Sequence, residues 1–155
     1  MAEAVLKAWS AFLGTHARAL RRVEARLKAA GMPPLEWYDV LLELERAGGR
    51  LRIGDLAERV VVAPYNMTRL LDRLEADGLL GRERLATDRR GAFAVLTAKG
   101  GRLRKEMWPV YEAAIRDVFA PLTASEAQTL ERGLDRVAAR LRAADRDGPE
   151  AAAAD

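Results

Sequence analysis

Within PYNMTRLLDRLEAD, residues 64–77, three polar side chains recur at positions 66, 69 and 73. Wound as a helix, Asn66, Arg69 and Arg73 share one line, while Met67, Leu70, Leu71 and Leu74 fall on the opposite face. That line has the chemistry of groove recognition on duplex nucleic acid. Pro64, Tyr65, Asn66 and Thr68 stand at the start of the helix, the part of a recognition helix that meets base edges, and an Asn amide pairs bidentately with adenine. Arg69 and Arg73 would hold phosphates. A second cluster, Asp88, Arg89 and Arg90, lies in ATDRRG between the β-prone runs LLGRERL and AFAVL. At a narrow hairpin tip two arginines can enter a minor groove, where negative potential is strongest over A/T-rich sequence, with Asp88 bracing one guanidinium.

The competing assignment for residues 64–77 is an ordinary amphipathic surface helix, whose Arg and Asp side chains form solvated pairs of little energetic consequence. Charge distribution favours the first assignment. The 155 residues carry a net charge of only +3, yet residues 63–105 hold ten Lys/Arg against five Asp/Glu. A local basic excess around the hairpin is the footprint expected of a nucleic-acid binder.

Other chemistries lack their residues. The chain has no cysteine and one histidine, His16, which removes disulfides, thiolate ligands and a multi-ligand zinc site. No Walker or dinucleotide glycine pattern is present, and KGGRLRKE is not a phosphate loop, so no catalytic set, cofactor or metal is expected. Charges interrupt residues 1–30 throughout, leaving neither a signal-peptide core nor an apolar span. A cytoplasmic protein without membrane partners is expected.

These residues need elements to position them. Val5, Trp9, Phe12, Leu13, Leu20, Val23 and Leu27 recur at helical spacing, predicting a long amphipathic helix over residues 2–29, ended by Gly31 and Pro33. Pro34 suits the first turn of a second helix, with Tyr38, Leu41, Leu42 and Leu44 inward, stopped by Gly48 and Gly49. RLR is a short strand. Gly54 is placed as the N-cap of a third helix, DLAERV, and Pro64 opens the fourth, closed by Gly78. Two short helices and then a hairpin make a winged helix. Thr97 caps a fifth helix from Ala98 to about Ala120, with a kink expected at Pro109. Thr123 and Glu126 form a capping box for a sixth, whose stripe is Leu130, Leu134, Val137 and Leu141. The fold class expected is mainly α with a small β-wing.

The run APYNMTRLLDRLEADGLLGRERLATDRRGAFAVLTAKG closely resembles the helix-turn-helix and wing of the MarR family of bacterial transcriptional regulators. Three parts carry the resemblance in order: T-R-L-x-D-R-L-E at Thr68 to Glu75, D-G-L at Asp77 to Leu79, and D-R-R followed by L-T-x-x-G between Asp88 and Gly100. It implies that the fourth helix enters the major groove and that Arg90 reaches the minor groove with Asp88 orienting it. It further implies a homodimer held by the first, fifth and sixth helices, binding a pseudo-palindromic double-stranded operator. Residues 1–30 and 98–143 then form the dimerisation region, 34–97 the winged helix-turn-helix, and 144–155 a flexible tail. One departure is Ala63, where the family usually has Ser or Thr; the missing cap is worth about 1 kcal/mol.

The resemblance also implies a repressor released by a small aromatic or anionic ligand, in a crevice near His16, Trp37, Tyr38 and Tyr111. Asp39 resembles the acidic residue that takes part in ligand response in the family's urate-responsive branch; that branch's extra N-terminal tryptophan has no evident equivalent here. The structural alternative for these side chains is packing in the core. Two other functions remain open on the sequence: a winged-helix adaptor that binds a protein partner, and a DNA binder without ligand control.

Overall fold

The computed structural model of the chain describes residues 2–60, 64–84 and 91–147, with side chains for 3–60, 66–84 and 91–144. Two units emerge, Met1–Ile115 and Arg116–Asp155. The first begins with α1 (Ala2–Ala29) and α2 (Leu35–Arg46), followed by strand β1 (Arg50–Arg52) and the short helix α3 (Ile53–Arg59). Helix α4 (Pro64–Ala76) leads to the hairpin strands β2 (Leu80–Arg84) and β3 (Ala92–Leu96), and α5 (Ala98–Phe119) carries the chain out of this unit. The sheet is antiparallel in the order β1-β3-β2, with Leu51 opposite Ala94 and Arg82 opposite Ala94 on the other side. This is the expected winged helix-turn-helix, mainly helical with a small β-wing between long terminal helices.

Two hydrophobic clusters hold the first unit. One gathers Leu41 and Leu44 of α2, Leu56 of α3, Leu70, Leu71 and Leu74 of α4, and Leu51, Leu80 and Ala94 of the sheet. The other joins Val23 and Leu27 of α1 to Leu35 and Tyr38 of α2 and to Met107 and Ala114 of α5. Only the second half of α1 is anchored in this way. Val5, Trp9, Phe12 and Leu13 of its first half, and Leu20 just beyond, are at least 40 % exposed. In the second unit, helix α6 (Ala124–Asp147) presents Leu130, Leu134, Val137 and Leu141 to solvent.

Helix ends follow the caps read from the sequence, with three displacements. Pro34 is not in the first turn of α2 but ahead of it, with extended backbone, and the Leu35 N–H donates instead to Glu24 Oε1 of α1 at 3.0 Å. Gly54 does not cap α3: Arg52, still extended at the end of β1, takes the N-cap position, and the helix starts once Ile53 reaches the core. Helix α6 continues to Asp147, past residue 143 where the dimerisation region was expected to end, and α5 stays helical through Pro109. The capping box is formed, with the Thr123 N–H donating to Glu126 Oε2 at 2.9 Å and the Glu126 N–H to Thr123 Oγ1 at 3.3 Å. Those bonds hold the Glu126 carboxyl below its ordinary range.

The motifs that join α4 to α5 have a mechanical basis. Gly78 takes φ +70°, a left-handed conformation, so that the Leu79 N–H turns back to Leu74 O at 2.9 Å and closes α4. Thr97 Oγ1 accepts the Gly100 N–H at 3.1 Å, capping α5, and lies 2.9 Å from Leu79 O. A Cβ at Gly100 would overlap the Leu79 carbonyl oxygen. L-T-x-x-G is therefore a cap followed by a close approach, and it sets where α5 leaves the wing.

Candidate nucleic-acid interface

Helix α4 divides as its periodicity requires. Met67, Leu70, Leu71 and Leu74 are buried, and Asn66, Thr68, Arg69 and Arg73 are exposed. The helix's two interior carboxylates do not neutralise that basic line. Arg82, on β2, donates from Nη2 to Asp72 Oδ1 at 2.6 Å, lies 3.4 Å from Thr68 O, and brings Nε within 3.5 Å of Glu75 Oε2. Only 27 % of its side chain is exposed. Arg69 and Arg73 form no ion pair with any described residue, so both guanidinium groups are available to phosphates. On the outer face of the sheet, Arg50 stacks on Phe93 with its guanidinium carbon 3.5 Å from the ring centroid, while its Nε donates to Glu83 Oε2 at 3.0 Å. That network stiffens the root of the hairpin.

Pro64 and Tyr65 are helical in α4, but their side chains lie outside the described residues, as do Ala63 and the hairpin-tip residues Asp88, Arg89 and Arg90.

A cavity of about 400 Å³ opens between α2 and α5. Tyr38, Asp39, Leu42 and Arg46 line it from α2, and Arg104, Trp108, Tyr111 and Ile115 from α5. Its rings contact one another: Tyr38 and Trp108 lie near parallel at 6.2 Å, and Tyr111 meets Tyr38 edge-on at 5.0 Å. Both arginines have carboxylate partners, Arg46 Nη1 with Glu43 Oε1 at 2.8 Å and Arg104 Nη2 with Glu45 Oε2 at 2.8 Å. Arg104 Nε is buried without a hydrogen-bond partner. Burial first, then the nearby Glu43 and Glu24, push the Asp39 carboxyl up to about 6 against the opposing pull of Arg46. Burial, Asp39 and Tyr38 raise the Tyr111 phenol above its ordinary range.

Comparison with known proteins settles the family. A MarR family model matches residues 30–91, from the end of α1 to the wing. The HTH-type transcriptional regulator MhqR of Bacillus subtilis is 31 % identical over 107 residues, covering 69 % of this chain and 72 % of that protein. The chain belongs to the MarR family. A second relative, an HTH-type transcriptional repressor of Mycobacterium tuberculosis, is 31 % identical over 115 residues, 74 % of this chain and 81 % of the repressor. Among solved structures, a MarR family transcriptional regulator from Streptomyces coelicolor in complex with DNA superposes with a TM-score of 0.79 at 26 % identity, over 91 % of this chain and 92 % of that one.

Of the cavity residues expected from the MarR resemblance, the structure brings together Tyr38, Asp39 and Tyr111. His16 is not with them: it is exposed on α1 and stacks on Phe12 at 5.9 Å. Trp37 also points elsewhere, against the core of the winged helix, with its indole Nε1 buried and unpartnered. A step of one residue turns a helix by about 100°, which separates Trp37 from Tyr38. Sequence reasoning missed Arg104 and Trp108. Their spacing with Tyr111 and Ile115 (104, 108, 111, 115) is a single helical face and was the available signal.

Proposed function

We propose that this MarR family member is a dimeric transcriptional repressor that binds a pseudo-palindromic operator in the cytoplasm and releases it when a small aromatic ligand enters the α2–α5 cavity. One observation carries the DNA reading: α4 exposes Asn66, Arg69 and Arg73 on one line while Arg82 draws Asp72 and Glu75 toward the wing. In this reading Asn66, with Pro64, Tyr65 and Thr68 beside it, meets base edges, Arg69 and Arg73 hold phosphates, and Arg90, with Arg89 and braced by Asp88, reaches a flanking minor groove. The exposed apolar stripes of α1 and α6 supply the surfaces a second copy would cover. The DNA-bound Streptomyces relative and the mycobacterial repressor support the same reading.

The effector reading rests on the cavity. Its three aromatic side chains suit a ring-bearing ligand. Gel shift on the DNA flanking the gene, at two salt concentrations, tests the repressor: phosphate contacts require a steep fall in affinity with salt. Absence of duplex binding would favour the protein-interaction adaptor. Binding that no aromatic compound relieves would leave a DNA binder without ligand control.

A further inference from the structure

We infer that the α2–α5 cavity selects an organic cation, a ring-bearing compound with a quaternary or protonated amine, rather than an aromatic acid. The inference rests on the effector reading of the cavity and adds the charge of its ligand. One carboxylate, Asp39, lines the wall, and three more bear on it or on the wall arginines: Glu43 and Glu45, paired to those arginines, and Glu24, which acts on Asp39. The wall itself carries two cations, Arg46 and Arg104, of which Arg46 acts on Asp39. Each arginine is already held by a glutamate, and Arg46 leaves 64 % of its side chain in solvent. Asp39 alone has no hydrogen-bond or ion-pair partner among the described residues. An unpaired, half-buried carboxylate beside Tyr38, Trp108 and Tyr111 is the combination that receives a soft cation, since ring faces attract positive charge and a desolvated carboxylate gains most from a counter-ion.

After burial, which opposes charge of either sign, Glu43 and Glu24 raise the Asp39 carboxyl, and those two carboxylates would oppose a second anion beside it in the same way. Arg104 Nε is a buried donor without a hydrogen-bond partner, which would favour an anion. Its guanidinium is shared across both oxygens of Glu45, at 3.1 Å and 2.8 Å, so an anion would enter the field of that carboxylate as well as of Asp39.

Calorimetry on the full chain with three probes of similar size tests the inference: benzyltrimethylammonium, phenylacetate and the neutral anisole. The cation is expected to bind about tenfold or more tighter than phenylacetate, and Asp39→Asn is expected to cut its preference over anisole about tenfold. Thermal unfolding of Asp39→Asn reads whether the variant is folded; Asp39→Glu, which keeps the charge, is expected to retain the preference. Phenylacetate binding as tightly as the cation, or a cation preference that survives in Asp39→Asn, would overturn the inference while leaving the cavity a ligand site. A cation that binds as expected but does not weaken DNA binding would overturn the effector reading and leave the charge selectivity standing. Failure of all three probes to bind would overturn both.

Discussion

Asp39 and Arg69 illustrate what single residues decide here. The Asp39 carboxyl titrates near 3.8 when solvated and near 6 in the fold, because burial and the carboxylates of Glu43 and Glu24 oppose its charge. Between those values the unfolded chain holds fewer protons than the folded one, so this group's contribution is most favourable below pH 4 and is lost as pH rises toward 6. Asp39→Asn should therefore stabilise the protein above pH 6, by on the order of 1 kcal/mol after solvent screening of a half-buried group. The advantage should vanish near pH 4. Urea denaturation of both proteins at the two pH values measures it, and an equal difference at both would refute the assignment. On α4 the exposed line splits by chemistry. Arg69→Ala should weaken binding to all duplexes alike and lower the salt slope by about 1, whereas Asn66→Ala should relax discrimination at one base position by roughly 1–3 kcal/mol. Binding to a set of single-base operator variants separates the two, and identical profiles would rule out base reading by Asn66.

Elements are placed by contacts that join them, and Arg82 joins the wing to the recognition helix. From β2 it reaches Asp72, Glu75 and the Thr68 carbonyl across two turns of α4. Losing it should let α4 shift against the hairpin, lowering operator affinity about tenfold, with Arg82→Ala and Asp72→Ala coupled by roughly 0.5–1 kcal/mol in a stability cycle. Additive effects in that cycle would dissolve the clasp. The existence of α4, its buried stripe and its Gly78 stop were legible in the sequence because they depend on period and local backbone chemistry. So was the T-x-x-E box before α6. The Arg82 clasp was not legible, since positions 72 and 82 are brought together only by the turn and the pairing of β2 with β3. The cavity was half legible for a related reason: Tyr38 and Tyr111 stood out as rings, but whether the α5 face that carries Tyr111 meets Tyr38 depends on how α5 leaves Thr97 and Gly100. Trp37 looked equivalent to Tyr38 in a list of aromatics, and the helix turned it to the other cluster. The starts of α2 and α3 moved because a side chain of α1 and the end of β1, both outside the local pattern, supplied the caps.

At the scale of the whole molecule, uncovered apolar surface and the position of α4 make one joint prediction. Trp9, Phe12 and Leu13 of α1, and Leu134, Val137 and Leu141 of α6, are each more than 40 % exposed, a pattern costly to leave in water along helices of this length. A second copy covering them gives a homodimer, and a two-fold dimer presents two copies of α4 to one face of the duplex. Recognition helices in successive major grooves lie about one turn apart, roughly 10 bp, so the operator should be a pseudo-palindrome. Each hairpin would then lie outside its α4, carrying Arg89 and Arg90 to the flanking minor grooves, where A/T-rich sequence narrows the groove and deepens its negative potential. Selection from random duplexes should return two inverted half-sites with A/T-rich flanks, and Arg90→Ala should lose the flank preference while keeping the half-sites. Sedimentation should find a dimer at micromolar concentration, and Leu134→Glu with Val137→Glu should weaken dimerisation and operator binding together. If that variant were monomeric yet bound the full operator as tightly as wild type, the two half-sites could not be read by a pair. A single asymmetric site from the selection would argue the same from the DNA side, because one α4 and one hairpin would then account for all the sequence read.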